Sequence, residues 1–227
     1  MNHLPDPILA WYLFCLGLAV GMAVLAMSAY LSVSPPWLRW LLLASGVLVA
    51  SRYVTMALAA ISPHPQELWW LRWCWYGTSI GLTFPSVVAL DQLARHPAMT
   101  PKKLLQWYAP FLAAYLLVLL FGRMEWFRDP LVGTTVKLGG WAIYLLAFAQ
   151  ACFVMVFLAM AGFLLSKIRS PHIQMALILL MAAYAYLTLD GVLVTFGRWY
   201  LRPFLFSEIF ALLAIWLAFE TADKHPA

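Results

Sequence analysis

Three charged side chains stand where an apolar chain has least room for them. The run AYLTLDGVLVTFGRWYLRPFLFSEIFALLAIW, residues 185–216, places Asp190 and Glu208 among leucines, phenylalanines and alanines. Arg52 interrupts a second apolar run, LLLASGVLVASRYVTMALAAI. A charge at the centre of a bilayer costs about 2.5–3.5 kcal/mol on the insertion scale. Such groups face a protein interior and pair with one another. An arginine offers five donors in a rigid fork that matches a carboxylate. Two acids held close together can share a proton, because ionising both is unfavourable. These residues therefore point to a buried ion pair, a polar ligand pocket or proton chemistry.

The elements that must position them are read from hydropathy. The chain has 227 residues, is 65% hydrophobic and only 10% charged, with mean hydropathy +0.85. That is more apolar surface than a soluble domain hides. Twelve tryptophans suit two interfacial aromatic belts. Seven runs reach the roughly 20 residues that a membrane helix needs. They are residues 8–31, 37–61, 68–93, 103–122, 138–166, 173–196 and 202–220. Proline and glycine mark most of the breaks between them. Backbone groups in lipid must be satisfied within the segment, so every span is expected to be a helix. The expected fold is an all-α integral membrane protein, a single seven-transmembrane-helix bundle. With the N-terminus outside, the inner segments carry Arg39, Arg95, Lys102, Lys103, Lys167, Arg169 and Lys224. The outer segments carry Arg72, Arg123, Arg128, Lys137, Arg198 and Arg202. This small excess, with Glu67, Glu125 and Asp129 on the outer side, favours a cytoplasmic C-terminus. The start, MNHLPDPILAWY, lacks the basic region of a cleavable signal peptide.

Depth follows from 1.5 Å of rise per residue. Arg52 lies about 13 Å from the outer end of span 2, and Asp190 and Glu208 about 9 Å from the outer ends of spans 6 and 7. Arg72 near the outer end of span 3 can snorkel to the same level. These residues, with Tyr186 and Gln150, are the candidate ligand-binding set, a pocket between spans 2, 3, 6 and 7. Three readings stay open: a structural ion pair fixing helix register, a pocket open to the outer face, and snorkelling toward lipid. Tyr76, Ser79, Thr83 and Pro85 supply hydroxyls and a kink to span 3. The segment 123–137 is expected to be a loop, either a cap on the outer mouth or a plain connector. Gly17 and Gly21 form a GxxxG pair on span 1, a candidate partner face.

Several classes are excluded. The basic residues are scattered and form no nucleic-acid stripe. Span 7 has no lysine for a retinal Schiff base. His3, His64, His96, His172 and His225 fall in loops, tails or span ends, which disfavours axial haem ligation. HExxH and GxSxG are absent. Cys15, Cys74 and Cys152 lie in apolar runs without metal or disulfide spacing. No catalytic set, metal or cofactor is expected. A seven-helix sugar transporter would show matched proline breaks in repeated bundles; spans 1, 2, 5 and 6 contain no internal proline, and Pro85 of span 3 is expected well inside its helix.

The layout resembles the seven-helix membrane sensor region found at the N-terminus of many bacterial and archaeal histidine kinases and diguanylate cyclases. The likeness covers nearly the whole chain. It rests on LWWLRWCWYGTSIGLTFPSVVAL with its Y-x-G-like turn and mid-helix proline, on YAPFLAAYLLVLL, and on LDGVLVTFG followed by LRPFLFSEIFALLAIWLAFE. A polar residue commonly stands in that family where Asp190 stands. The resemblance implies a non-catalytic sensor or receptor in a bacterial inner membrane. In that family the seventh helix runs into a signalling domain, whereas this sequence stops at Ala227. The expectation is a relative that signals through a separate cytoplasmic protein. The alternative is an accessory or structural subunit of a membrane complex, and a transporter is the third reading.

Overall fold

The computed structural model describes residues 7–62, 65–95, 100–129, 133–195 and 205–224. Their order is α1 (Pro7–Tyr30), α2 (Pro36–Ile61), a 3-10 helix (Pro65–Tyr76), α3 (Gly77–Ala94), α4 (Pro101–Phe121), β1 (Arg123–Asp129), β2 (Gly133–Gly139), α5 (Trp141–Lys167), α6 (Pro171–Thr195) and α7 (Phe206–Lys224). Helices α1, α2, α4 and α6 begin at a proline, whose missing N–H costs nothing in a first turn. Thr100 caps α4 by accepting from the Lys103 backbone N–H at 3.4 Å.

Five helices, α1, α2, α4, α5 and α6, are long and apolar enough to cross a membrane. Their outer faces carry large exposed apolar side chains, among them Phe14, Trp40, Trp107, Tyr144 and Phe163. An apolar surface on that scale belongs against lipid or protein. The chain is a helical membrane-embedded protein. Helices α3 and α7, with 18 and 19 residues, are shorter and are not among these five. Both are central. Helix α3 packs against α2, α4, α5, α6 and α7, and α7 against α1, α3 and α6.

Span 3 was expected to be one helix over 68–93, and it is not. It divides at Tyr76–Gly77 into a 3-10 stretch and α3. The division falls where α3 begins its close contact with α2. A Cβ on Gly77 would collide with the Leu48 carbonyl, and one on Gly81 with the Val49 side chain and, at 2.8 Å, the Ser45 carbonyl. The GxxxG spacing of Gly77 and Gly81 thus seats α3 on the α2 backbone. Gly17 and Gly21, the pair singled out for this role, lie on an exposed face of α1, where an added Cβ would meet nothing within 4 Å.

The segment expected as a loop is an antiparallel hairpin in which Met124 pairs with Leu138 and Trp126 with Val136. Met124, Val136 and Leu138 are buried, the period-two pattern of a strand with one covered face. The hairpin packs on α2 and α5. The Tyr76 hydroxyl donates to the Val136 carbonyl at 3.2 Å, which fixes it over the 3-10/α3 junction.

Candidate functional site

Arg52 sits about two and a half turns from the end of α2 and is 5% exposed. Its Nη1 donates to Glu208 Oε1 at 2.5 Å and to the Thr78 hydroxyl. Glu208 lies in the first turn of α7, where the helix dipole favours a carboxylate. Helices α2 and α7 are not packed backbone to backbone. Two long side chains span the gap, and Thr78 of α3 stands at the same nitrogen. One guanidinium therefore ties three helices at one level of the bundle.

The pair leaves polar atoms over. Arg52 Nε, Glu208 Oε2 and the hydroxyls of Tyr53 and Tyr115 are buried and have no hydrogen-bond partner. Tyr53 lies within electrostatic reach of both Glu208 and Arg52, and Tyr115 within reach of Arg52. The Tyr53 hydroxyl faces Glu208 and the Tyr115 hydroxyl faces Ser79, each short of full hydrogen-bond geometry. One donor, one acceptor and two hydroxyls that can do either thus cluster around a charge pair that sums to zero. Each unsatisfied buried group costs about 1–3 kcal/mol. Proteins retain such groups where a ligand, a water or a movement later satisfies them.

Asp190 does not join this pair. It was expected at Arg52 beside Glu208, but it is buried elsewhere and accepts a hydrogen bond from the Ser207 hydroxyl at 2.5 Å. The reason is helical geometry. Ser207 and Glu208 are neighbours in sequence and so about 100° apart around α7. Ser207 therefore faces α6 while Glu208 faces α2. Tyr186 is half-buried and within electrostatic reach of Asp190, not of Arg52. Gln150 is exposed on α5, and its Nε2 donates to the Ser79 hydroxyl at 3.1 Å. Its connection to the Arg52 group runs only through Ser79 and Tyr115. Arg72 lies on the 3-10 helix, with its side chain outside the described residues.

Sequence reasoning overlooked Thr78, Tyr53 and Tyr115. Tyr53 adjoins Arg52 in sequence, and Thr78 lies between the two packing glycines of α3. Those were the available signals. The α4 residue Tyr115 gave none. A second polar group surrounds Pro85, which cannot donate to the carbonyl four residues before it. The Tyr108 and Thr83 hydroxyls lie 2.7 Å apart. The Tyr184 hydroxyl lies 2.8 Å from that of Ser86 and 3.0 Å from the Leu82 carbonyl. These contacts hold α4 and α6 to the part of α3 around Pro85.

Compared with known proteins, the chain matches no family model and no curated protein sequence.

Proposed function

We propose that this chain is a non-catalytic seven-helix membrane protein of sensor type, with its N-terminus outside and its C-terminus in the cytoplasm of a bacterial inner membrane. In this reading α3 and α7 are membrane spans shielded by the five apolar helices. The Arg52–Glu208 centre in the outer half takes a small polar molecule or lipid headgroup, and α7 reports occupancy to a separate cytoplasmic protein. The observation that supports it most is the set of four unpartnered polar atoms around a buried ion pair anchored on the first turn of α7.

The chemistry narrows the ligand. The ion pair is neutral overall, so a strongly charged ligand would arrive without a compensating charge. A neutral or dipolar molecule can accept from Arg52 Nε, donate to Glu208 Oε2 and meet the two tyrosine hydroxyls. All four atoms are buried, so entry requires α7 to give way. A ligand drives that movement only by the difference in its affinity for the two positions. Thermal-shift screening of the purified protein with small polar molecules and lipids tests the reading. Tyr53→Phe and Glu208→Gln should abolish any shift seen in the parent. A hit that survives both substitutions, or no hit from a broad panel, removes the support.

A second reading, an accessory subunit of a membrane complex, is favoured by the open Gly17–Gly21 face of α1. Purification from its native membrane in mild detergent, with mass measurement, separates the two. A lone monomer argues against the subunit.

A further inference from the structure

A groove of about 250 Å³ lies between the start of α6 and the end of α7, far from the Arg52 centre. Because α6 and α7 run antiparallel here, depth along one matches depth along the other, and the lining changes with it. At the mouth stand His172, Glu220, Thr221 and Lys224. One to two turns deeper the walls are Met175 and Leu179 of α6 with Trp216 and Leu217 of α7. From Lys224 to Trp216 is about 12 Å of helix. A polar mouth at a helix end, over an apolar trough of that length in a membrane-embedded bundle, has the shape of a site for an amphiphile.

The mouth also has a definite charge pattern. Lys224 Nζ lies 2.8 Å from Glu220 Oε2, an ion pair one helical turn apart. One cation and one anion side by side complement a headgroup that carries one of each. The other basic side chains at this end lie outside the groove lining: Arg95 donates to the Ala222 carbonyl at 2.5 Å, and neither it nor Lys167 nor Arg169 lines the groove. A carboxylate acceptor further favours an ammonium with N–H donors over a quaternary one.

We propose that this groove binds one zwitterionic phospholipid with a primary ammonium headgroup, of the phosphatidylethanolamine class. Its ammonium sits on Glu220, its phosphate on Lys224 and Thr221, and its acyl chain along Met175, Leu179, Trp216 and Leu217. The site stands independently of the sensor reading.

Native mass spectrometry of the full chain, exchanged against phosphatidylethanolamine, phosphatidylcholine and phosphatidylglycerol of matched chains, tests it. The parent should retain the ethanolamine lipid about two- to fivefold over the choline lipid, the preference that one partly exposed ion pair supports. Glu220→Gln should bring that ratio to one and raise retention of the glycerol lipid. Leu179→Trp, which fills the trough, should lower retention of all three. The proposal is overturned if the parent holds the ethanolamine and choline lipids equally, if it prefers the glycerol lipid, if it holds none, or if Glu220→Gln leaves the preference intact. The parent competition needs no variant, so a folding defect cannot blur its outcome.

Discussion

Arg52 and Asp190 are both buried charged residues, yet they respond differently to substitution. Arg52→Leu strands Glu208 without its counter-charge, and breaking a buried pair from one side costs about 3–5 kcal/mol. Glu208→Gln strands the guanidinium in the same way. The double variant should lose clearly less than the sum of the two singles, as measured by thermal unfolding in detergent. Simple additivity would mean that the pair does not exist in solution. Asp190 has a neutral partner. Asp190→Asn keeps an oxygen to accept from Ser207, so the loss should stay near about 1 kcal/mol. Asp190→Leu leaves a buried serine hydroxyl alone and should cost up to about 3 kcal/mol. Equal losses for Asn and Leu would show that the Ser207 bond contributes nothing.

Much of this scale was legible in the sequence. A buried arginine demands an acid, and depth counting along the spans left Glu208 and Asp190 as candidates. Choosing between them requires the rotation of α7 about its axis, which depth counting does not supply. Spans 2, 6 and 7 are nearly uniform in hydropathy around their circumference, so no polar stripe marks the inward face. Gln150 illustrates the same gap: it reaches Ser79 of α3 from an exposed position on α5 and does not reach the Arg52 pair.

At the scale of elements, the informative residues are the smallest. Gly77 and Gly81 are pressed against α2, whereas Gly17 and Gly21 face open space, although both pairs carry the same spacing. Alanine should therefore separate them. Gly81→Ala forces the α2–α3 contact apart and should cost about 1–3 kcal/mol. Gly17→Ala should be neutral or gain up to about 1 kcal/mol through helix propensity in the isolated chain. The melting temperatures of the two variants check this directly. Similar losses at both sites would mean that α1 has a partner even in the purified protein. The six long elements other than span 3 lie close to where hydropathy placed them, because a run of about 20 apolar residues has few alternatives. The hairpin was missed for the opposite reason. Among the described residues its buried set is Met124, Val136 and Leu138, too short an alternation to stand out in the sequence.

For the whole molecule, the arrangement is two shorter central helices, α3 and α7, packed among five long apolar ones. The orientation of the bundle as proposed is open to a direct measurement. In a background with Cys15, Cys74 and Cys152 replaced by alanine, Lys103→Cys marks the start of α4 and Lys137→Cys marks the hairpin that follows its other end. A membrane-impermeant maleimide should label position 137 in intact cells and position 103 only after permeabilisation. The reverse pattern would invert the orientation. Labelling of both from outside would mean that α4 does not span.

Helix α7 is held at its first turn on two sides, Glu208 toward α2 and Ser207 toward α6. Its buried face below that turn mixes Ala211, Ala214, Ala218 and Ala222 with the larger Leu212, Ile215 and Phe219. Phe219 meets the Tyr30 ring of α1 edge-on at 5.1 Å, so packing as well as hydrogen bonding sets the rotation of α7. The two polar contacts then act as detents on an axle. Turning in either sense displaces both Glu208 from Arg52 and Ser207 from Asp190, and only the rest position satisfies both. At the far end, Arg95 grips the carbonyl of Ala222 and opposes the same torque. Cutting either detent alone should leave the helix freer to turn, with the remaining one still marking the rest position.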